Sequence, residues 1–182
     1  VRRATVPSLE PRETRFDGVR IRIDSDKTYE QAVAALLSEI GDYPESITDL
    51  PAAFFQDWGS FATEISRHIG SSEFMLMHLI DHGEWLETAG INRKALRAIL
   101  GNPLISITIL RHDLTAGLFA PVELLLLEED HNRSSLTYIK PSSLMVVDDN
   151  PPLRAAALAL DEKLAALAAR VAASKPTTLE ST

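Results

Sequence analysis

Cysteine is absent from the 182-residue chain, which removes disulfide scaffolds, thiolate zinc sites, iron–sulfur ligation and cysteine nucleophiles from consideration. It does not fix a compartment, because reducing and oxidising spaces both tolerate Cys-free chains. Long apolar runs are missing too. The longest, residues 118–127, is broken by Pro121 and Glu123 and falls far short of the ~20 residues a membrane-spanning helix needs, so no membrane partner is expected. Positive charge is in deficit: 18 Lys+Arg against 26 Asp+Glu give a formal net charge of −8. That balance argues against nucleic acid as a partner, since phosphate binding needs concentrated Lys and Arg. Basic residues gather only at Arg2-Arg3 and between Arg12 and Arg22, where acidic residues dilute them. The motifs G-x-x-x-x-G-K, G-x-G-x-x-G, G-x-S-x-G and H-E-x-x-H do not occur, which excludes the common nucleotide-binding and hydrolase families. No cofactor is expected.

What is present suits a globular domain, with 45% hydrophobic and 24% charged residues. A chain of this length buries roughly 70% of its extended surface and needs no staples. We expect a flexible tail over residues 1–17, a single α+β domain over 18–174 and a polar tail over 175–182. No signal peptide is visible. The chain starts at Val1 rather than Met, which leaves open a removed upstream segment; a cytoplasmic location is the expectation.

Within the domain, Val19, Ile21 and Ile23 alternate with Arg20, Arg22 and Asp24, the pattern of a half-buried strand. Asp26-Lys27-Thr28 opens a helix to about Ile40, with Ala32, Leu36, Leu37 and Ile40 on one face. Residues 42–73 read as a helical insert: Phe54, Phe55 and Trp58 form an aromatic turn, and Ser60 caps a helix carrying Phe61, Ile65 and Ile69. The run from Phe74 to His82 predicts a strand buried on both faces. A short helix over 83–90, a strand over 95–100 and a helix opened by Asn102 and Pro103 follow. In that last helix Ile105, Ile107 and Ile109 alternate like a strand, but the cap decides for helix. Residues 122–127 and 134–139 form a hairpin around a polar connector, and Ser142-Ser143 starts a helical turn. Residues 153–173 make an Ala-rich helix whose Leu153, Ala157, Leu160, Leu164, Leu167 and Val171 form a narrow a/d seam. The order predicts a two-layer α+β domain with a mixed sheet and helices packed on it. The unit from 74 to 100 is expected as a right-handed parallel crossover.

From Ile80 onward, Ile80-Asp81-His82, then Gly101-Asn102-Pro103, then Pro121 and Tyr138 before Pro141 follow one another at regular spacing. In these motifs, over about residues 74–145, the chain resembles the domain of unknown function 302 family of small bacterial and archaeal α+β proteins. Phe119-Ala120 stands where that family carries Asp-Leu, and the 42–73 segment exceeds the short link the family has. The resemblance implies a fold without an established activity.

Asp81 and His82 end one predicted strand, and Asn102 ends the next. With parallel strands both helix N-termini would open at one sheet edge, where backbone N–H groups favour anions. A His there is suited to acid–base work. The plainer reading is that Asp81 and Asn102 cap their helices. Tyr138 offers a donor and acceptor hydroxyl, or simply packs the sheet. His78 and His82 lie roughly 13 Å apart along a strand, too far for one metal, and His68, His112 and His131 are scattered, so no metal site is expected. The acidic turn Glu128-Glu129-Asp130 lacks the alternating ligands of a calcium loop. The reading that follows is a small-molecule- or anion-binding domain with a pocket at Asp81, His82, Asn102 and Tyr138. The small-residue face of the last helix, or the aromatic insert, would pair two copies as a homodimer. The alternatives are an enzyme using a His82/Asp81 pair and a protein–protein interaction module.

Overall fold

The computed structural model describes residues 11–40 and 57–174. Most of the expected 1–17 tail, the 175–182 tail and the first part of the expected insert, including Phe54 and Phe55, lie outside the described residues. The elements run β1 (Arg20–Ser25), α1 (Tyr29–Ile40), α2 (Trp58–Ser66), β2 (Met75–Asp81), α3 (Gly83–Thr88), β3 (Ala95–Gly101) and α4 (Pro103–Leu110). A 3-10 turn over Leu114–Phe119 leads into β4 (Val122–Glu129), β5 (Arg133–Ile139), α5 (Pro141–Met145) and α6 (Pro151–Ala172). The architecture is α+β, with one five-stranded sheet in the order β1-β5-β4-β3-β2.

Every strand pair in that sheet is antiparallel, which corrects both the mixed sheet and the parallel crossover expected over 74–100. The connection is short: 13 residues, 82–94, join β2 to β3, at the floor of the dozen or more that a parallel crossover takes. α3 supplies only six of them, and β3 sets out from the end where β2 finished. β2 is also an edge strand, not a strand buried on both faces. Its apolar run packs Leu76 and Leu79 against the core, buries Met75 against Ile65 of α2, and leaves Met77 and Ile80 half-exposed.

Local signals account for the helix starts. Thr28 Oγ1 accepts the Gln31 N–H at 3.2 Å while Gln31 Oε1 accepts the Thr28 N–H at 3.0 Å, a reciprocal capping box that opens α1. α2 begins earlier than its apolar spacing indicates. Asp57, not Ser60, caps it, accepting from the Ser60 N–H at 2.9 Å and the Ser60 hydroxyl at 2.7 Å. Gly70 lets the chain entering β2 lie against the end of α1, because a Cβ there would stand 2.5 Å from the Glu39 carbonyl oxygen.

One face of the sheet carries the core. Val122, Leu124 and Leu126 of β4, Leu136 of β5 and Ala98 and Leu100 of β3 point toward α1 and α6 and are almost fully buried. The seam of α6 docks there through Leu153, Ala157, Leu160, Leu164, Leu167 and Val171. The seam therefore belongs to the protein's own core, while Ala155, Ala159, Ala165, Ala166 and Ala169 of the small-residue face stay exposed. Among the described residues no helix is long and apolar enough to cross a membrane.

Candidate functional site

Strand alternation puts Glu123, Leu125 and Leu127 of β4, Thr137 and Ile139 of β5, and Arg97 and Ile99 of β3 on the opposite face. α1 and α6 cover only the other side, so this face is bare. At one end of it lies a cavity of about 390 Å³, a size at the lower end of small-molecule sites. Leu125, Thr137 and Ile139 form its floor. Leu118, Phe119 and Pro121, leading into β4, stand at its edge with Pro141 and Leu144 of α5. His82 reaches it from the end of β2.

The charges in the cavity balance one another. The Arg97 guanidinium holds the Glu123 carboxylate with two parallel hydrogen bonds, Nε to Oε2 at 2.8 Å and Nη2 to Oε1 at 2.5 Å. The His82 ring stands edge-to-face against Trp85, with centroids 5.7 Å apart, and makes no side-chain hydrogen bond among the described residues. The Thr137 hydroxyl is likewise without a hydrogen-bond partner among them. These two groups are free to meet a ligand. Tyr138 also lines the cavity, but it alternates to the core side of β5 and is only 6% exposed. Burial pushes its hydroxyl pKa above the ordinary tyrosine value, and the negative charge of Asp161 adds to the shift.

α5 owes its place to Asp161 of α6, a buried carboxylate. It accepts the Ser142 N–H at 2.8 Å and the Ser142 hydroxyl at 2.5 Å, with the Lys140 ammonium 3.6 Å away. This ties the first turn of α5 to the long helix and fixes Pro141 and Leu144 at the cavity. Farther along the bare face, Glu129 takes a 2.6 Å hydrogen bond from the buried Ser135 and contacts Arg22 and Arg93. The Ser135 bond and then the Arg22 charge hold its carboxyl below the usual glutamate range.

The four residues singled out by sequence part company. His82 and Tyr138 line one cavity. The Asp81 carboxylate accepts the N–H of Gly83, the first residue of α3, at 2.7 Å and makes no hydrogen bond to the His82 ring; the N-cap position itself is His82, without a side-chain cap. Asn102 sits at the far end of β3, where Gly101 pairs with Met75 while Leu96 pairs with Asp81. That separation is the direct result of antiparallel pairing, and it overturns the convergence of Asp81-His82 and Asn102 at one edge. Asn102 is a cap: its Oδ1 accepts the Leu104 N–H and its Nδ2 donates to the Glu73 carbonyl, both at 2.8 Å. Arg97, Glu123 and Thr137 were missed. Their signal was strand alternation, which singles out a face but does not say which face stays bare. Among the described residues no cluster of His, Asp or Glu is arranged to hold a metal ion.

A family model described as Domain of unknown function DUF302 matches residues 54–171. Among solved structures the fold is similar to the crystal structure of an uncharacterized conserved protein DUF302 from Bacillus stearothermophilus, at 17% identity and a TM-score of 0.58. The match covers 84% of this chain and 97% of that one. No curated protein matches the chain.

Proposed function

The chain belongs to the DUF302 family, and from that premise we propose that it binds a small, largely apolar molecule in the cavity on the bare face of its sheet. The observation that carries this reading is a mostly apolar cavity of about 390 Å³ lined by His82, whose ring packs on Trp85 and has no hydrogen-bond partner among the described residues. A site of this kind combines apolar walls with a few polar groups that orient the occupant. Acid–base catalysis by a His82/Asp81 pair is the weaker reading, because Asp81 is committed to the Gly83 N–H and no carboxylate is hydrogen-bonded to His82 among the described residues.

The test is binding of 1-aminoanthracene, an uncharged apolar fluorophore, to the wild type and to Leu125→Trp, which fills the cavity floor. Saturable enhancement in the wild type and about a tenfold loss in the folded variant support the proposal. Equal fluorescence in both refutes it.

We also keep a homodimer in the proposal. With the α6 seam turned inward, support comes from Leu114 and Leu118 on the 3-10 turn beside the cavity, which are 81% and 82% exposed. Light scattering reads this directly: a dimer mass that Leu118→Glu lowers to the monomer supports it, and a monomer in the wild type refutes it.

A further inference from the structure

Resting on the reading that this cavity takes a small molecule, we propose that its ligand is uncharged and amphipathic, and that Glu123 is the specificity-determining residue that turns anions away. An apolar cavity bearing a lone guanidinium would be a carboxylate or phosphate site, since Arg presents a planar fork that suits both. Here that fork is already filled. Arg97 spends Nε and Nη2 on the two oxygens of Glu123, so an incoming carboxylate would have to displace a bidentate partner and leave Glu123 facing it.

The neighbouring charges do not restore an anion site. Arg22, which stands across from Thr137 in the β1–β5 register, is held by Asp24 and Glu129. Arg93 is held by Glu129 and Asp130. What the cavity offers instead is hydrogen bonding from neutral groups: the Thr137 hydroxyl on the floor and the His82 ring at the far side. A molecule with an apolar body and one hydroxyl, carbonyl or ether fits that set without disturbing the ion pair.

The Arg97 and Glu123 side chains are 39% and 46% exposed, so their pair adds little to folding, and its consequence lies in the charge balance of the site. Glu123→Gln therefore leaves a folded protein with Arg97 unneutralised. Specificity that rests on a repulsive element disappears when that element is removed.

The experiment is displacement of bound 1-aminoanthracene by decanol and by decanoate at about pH 8, where the carboxyl is ionised. The two competitors share one alkyl chain and differ in head-group charge. In the wild type decanol should displace the dye at about a tenfold lower concentration than decanoate. In Glu123→Gln the preference should vanish or reverse, through tighter binding of decanoate with decanol unchanged. Arg97→Gln, which leaves Glu123 alone, should widen the wild-type preference. Equal competition by the two molecules in the wild type overturns the proposal, as does an unchanged ratio in Glu123→Gln. If Leu125→Trp blocks the dye but neither competitor displaces it, the ligand class is wrong while the cavity remains a binding site. Dye fluorescence indifferent to Leu125→Trp removes the binding reading itself.

Discussion

Asp161 links folding to the cavity, and replacing it gives a quantitative prediction. Its carboxylate is 8% exposed and accepts two hydrogen bonds from Ser142, at 2.8 Å from the backbone N–H and 2.5 Å from the hydroxyl. Hydrogen bonds to a charged group are worth about 1.5–3 kcal/mol each, which sets a ceiling near 6 kcal/mol. Three effects reduce it. The two bonds share one acceptor group and do not add, burying the carboxylate carries its own desolvation cost, and Ala is the better helix former by about 0.7 kcal/mol. Asp161→Ala should therefore cost about 2–3 kcal/mol, or about 5–10 °C in melting temperature for a chain of this size.

Asp161→Asn isolates the geometry from the charge. Its carbonyl still accepts the Ser142 N–H, and a neutral bond retains roughly half the strength, so the loss should be about 1 kcal/mol. Urea unfolding at pH 7 measures both variants. Because Pro141 and Leu144 of α5 line the cavity, the alanine variant should also bind 1-aminoanthracene more weakly under conditions where it is fully folded. A loss below about 0.5 kcal/mol in Asp161→Ala would show that α5 is held by its apolar contacts and that the carboxylate is incidental. Equal losses in the Ala and Asn variants would refute the hydrogen-bond reasoning, since only the charge would then matter.

Two further outcomes follow from buried polar groups elsewhere. Asn102→Ala removes the cap of α4 and orphans the Glu73 carbonyl, for a cost of about 2–3 kcal/mol in urea unfolding. It should leave dye affinity unchanged, because Asn102 is not among the residues that line the cavity; a folded variant that no longer binds would contradict its assignment as a cap. Tyr29 is pushed up to about 12, first by burial and then by Asp81, Glu30 and Glu128. Its protonated form is favoured in the folded state, so its contribution is complete below the unfolded value near 10 and is lost as pH rises through the folded value. Tyr29→Phe does not titrate, so its urea midpoint should fall less than that of the wild type between about pH 9 and pH 11. Parallel declines of the two proteins would show that this hydroxyl is not a source of alkaline instability.

The elements were legible in the sequence where one short-range signal decided them. The Asp26-Lys27-Thr28 opening, the Asn102-Pro103 start and the a/d spacing of α6 each act within a few residues, and the helices they announce are present. Pairing direction was not legible, because it depends on how far a connection reaches. The 83–90 segment reads as a helix either way, and only the β2–β3 register in the folded chain shows that the two strands run antiparallel. The apolar run over 74–82 misled for a similar reason: its residues suit a strand covered on both faces, while the chain order leaves it at the edge. Half of the candidate site went with that error. His82 and Tyr138 meet one cavity, while Asp81 holds the Gly83 N–H and Asn102 caps α4, at opposite ends of β3.

The same geometry explains where a binding site can form at all in this protein. In an open parallel sheet the helices begin at the carboxyl ends of neighbouring strands, so their N-termini converge and ligands collect there. An antiparallel sheet turns alternate strands around and scatters those N-termini to both ends, as α3 and α4 show. With α1 and α6 on one side, the other face of β3, β4 and β5 has no helix to cover it. The 3-10 turn at Leu114–Phe119 and α5 then border that face at one end, closing a cavity against the sheet itself. Specificity must then come from outward-pointing strand residues, which alternate with the core at every second position. Under the proposed binding reading, Arg97, Glu123 and Thr137 would govern what enters, and the identity of residue 123 would be the strongest single determinant of ligand charge.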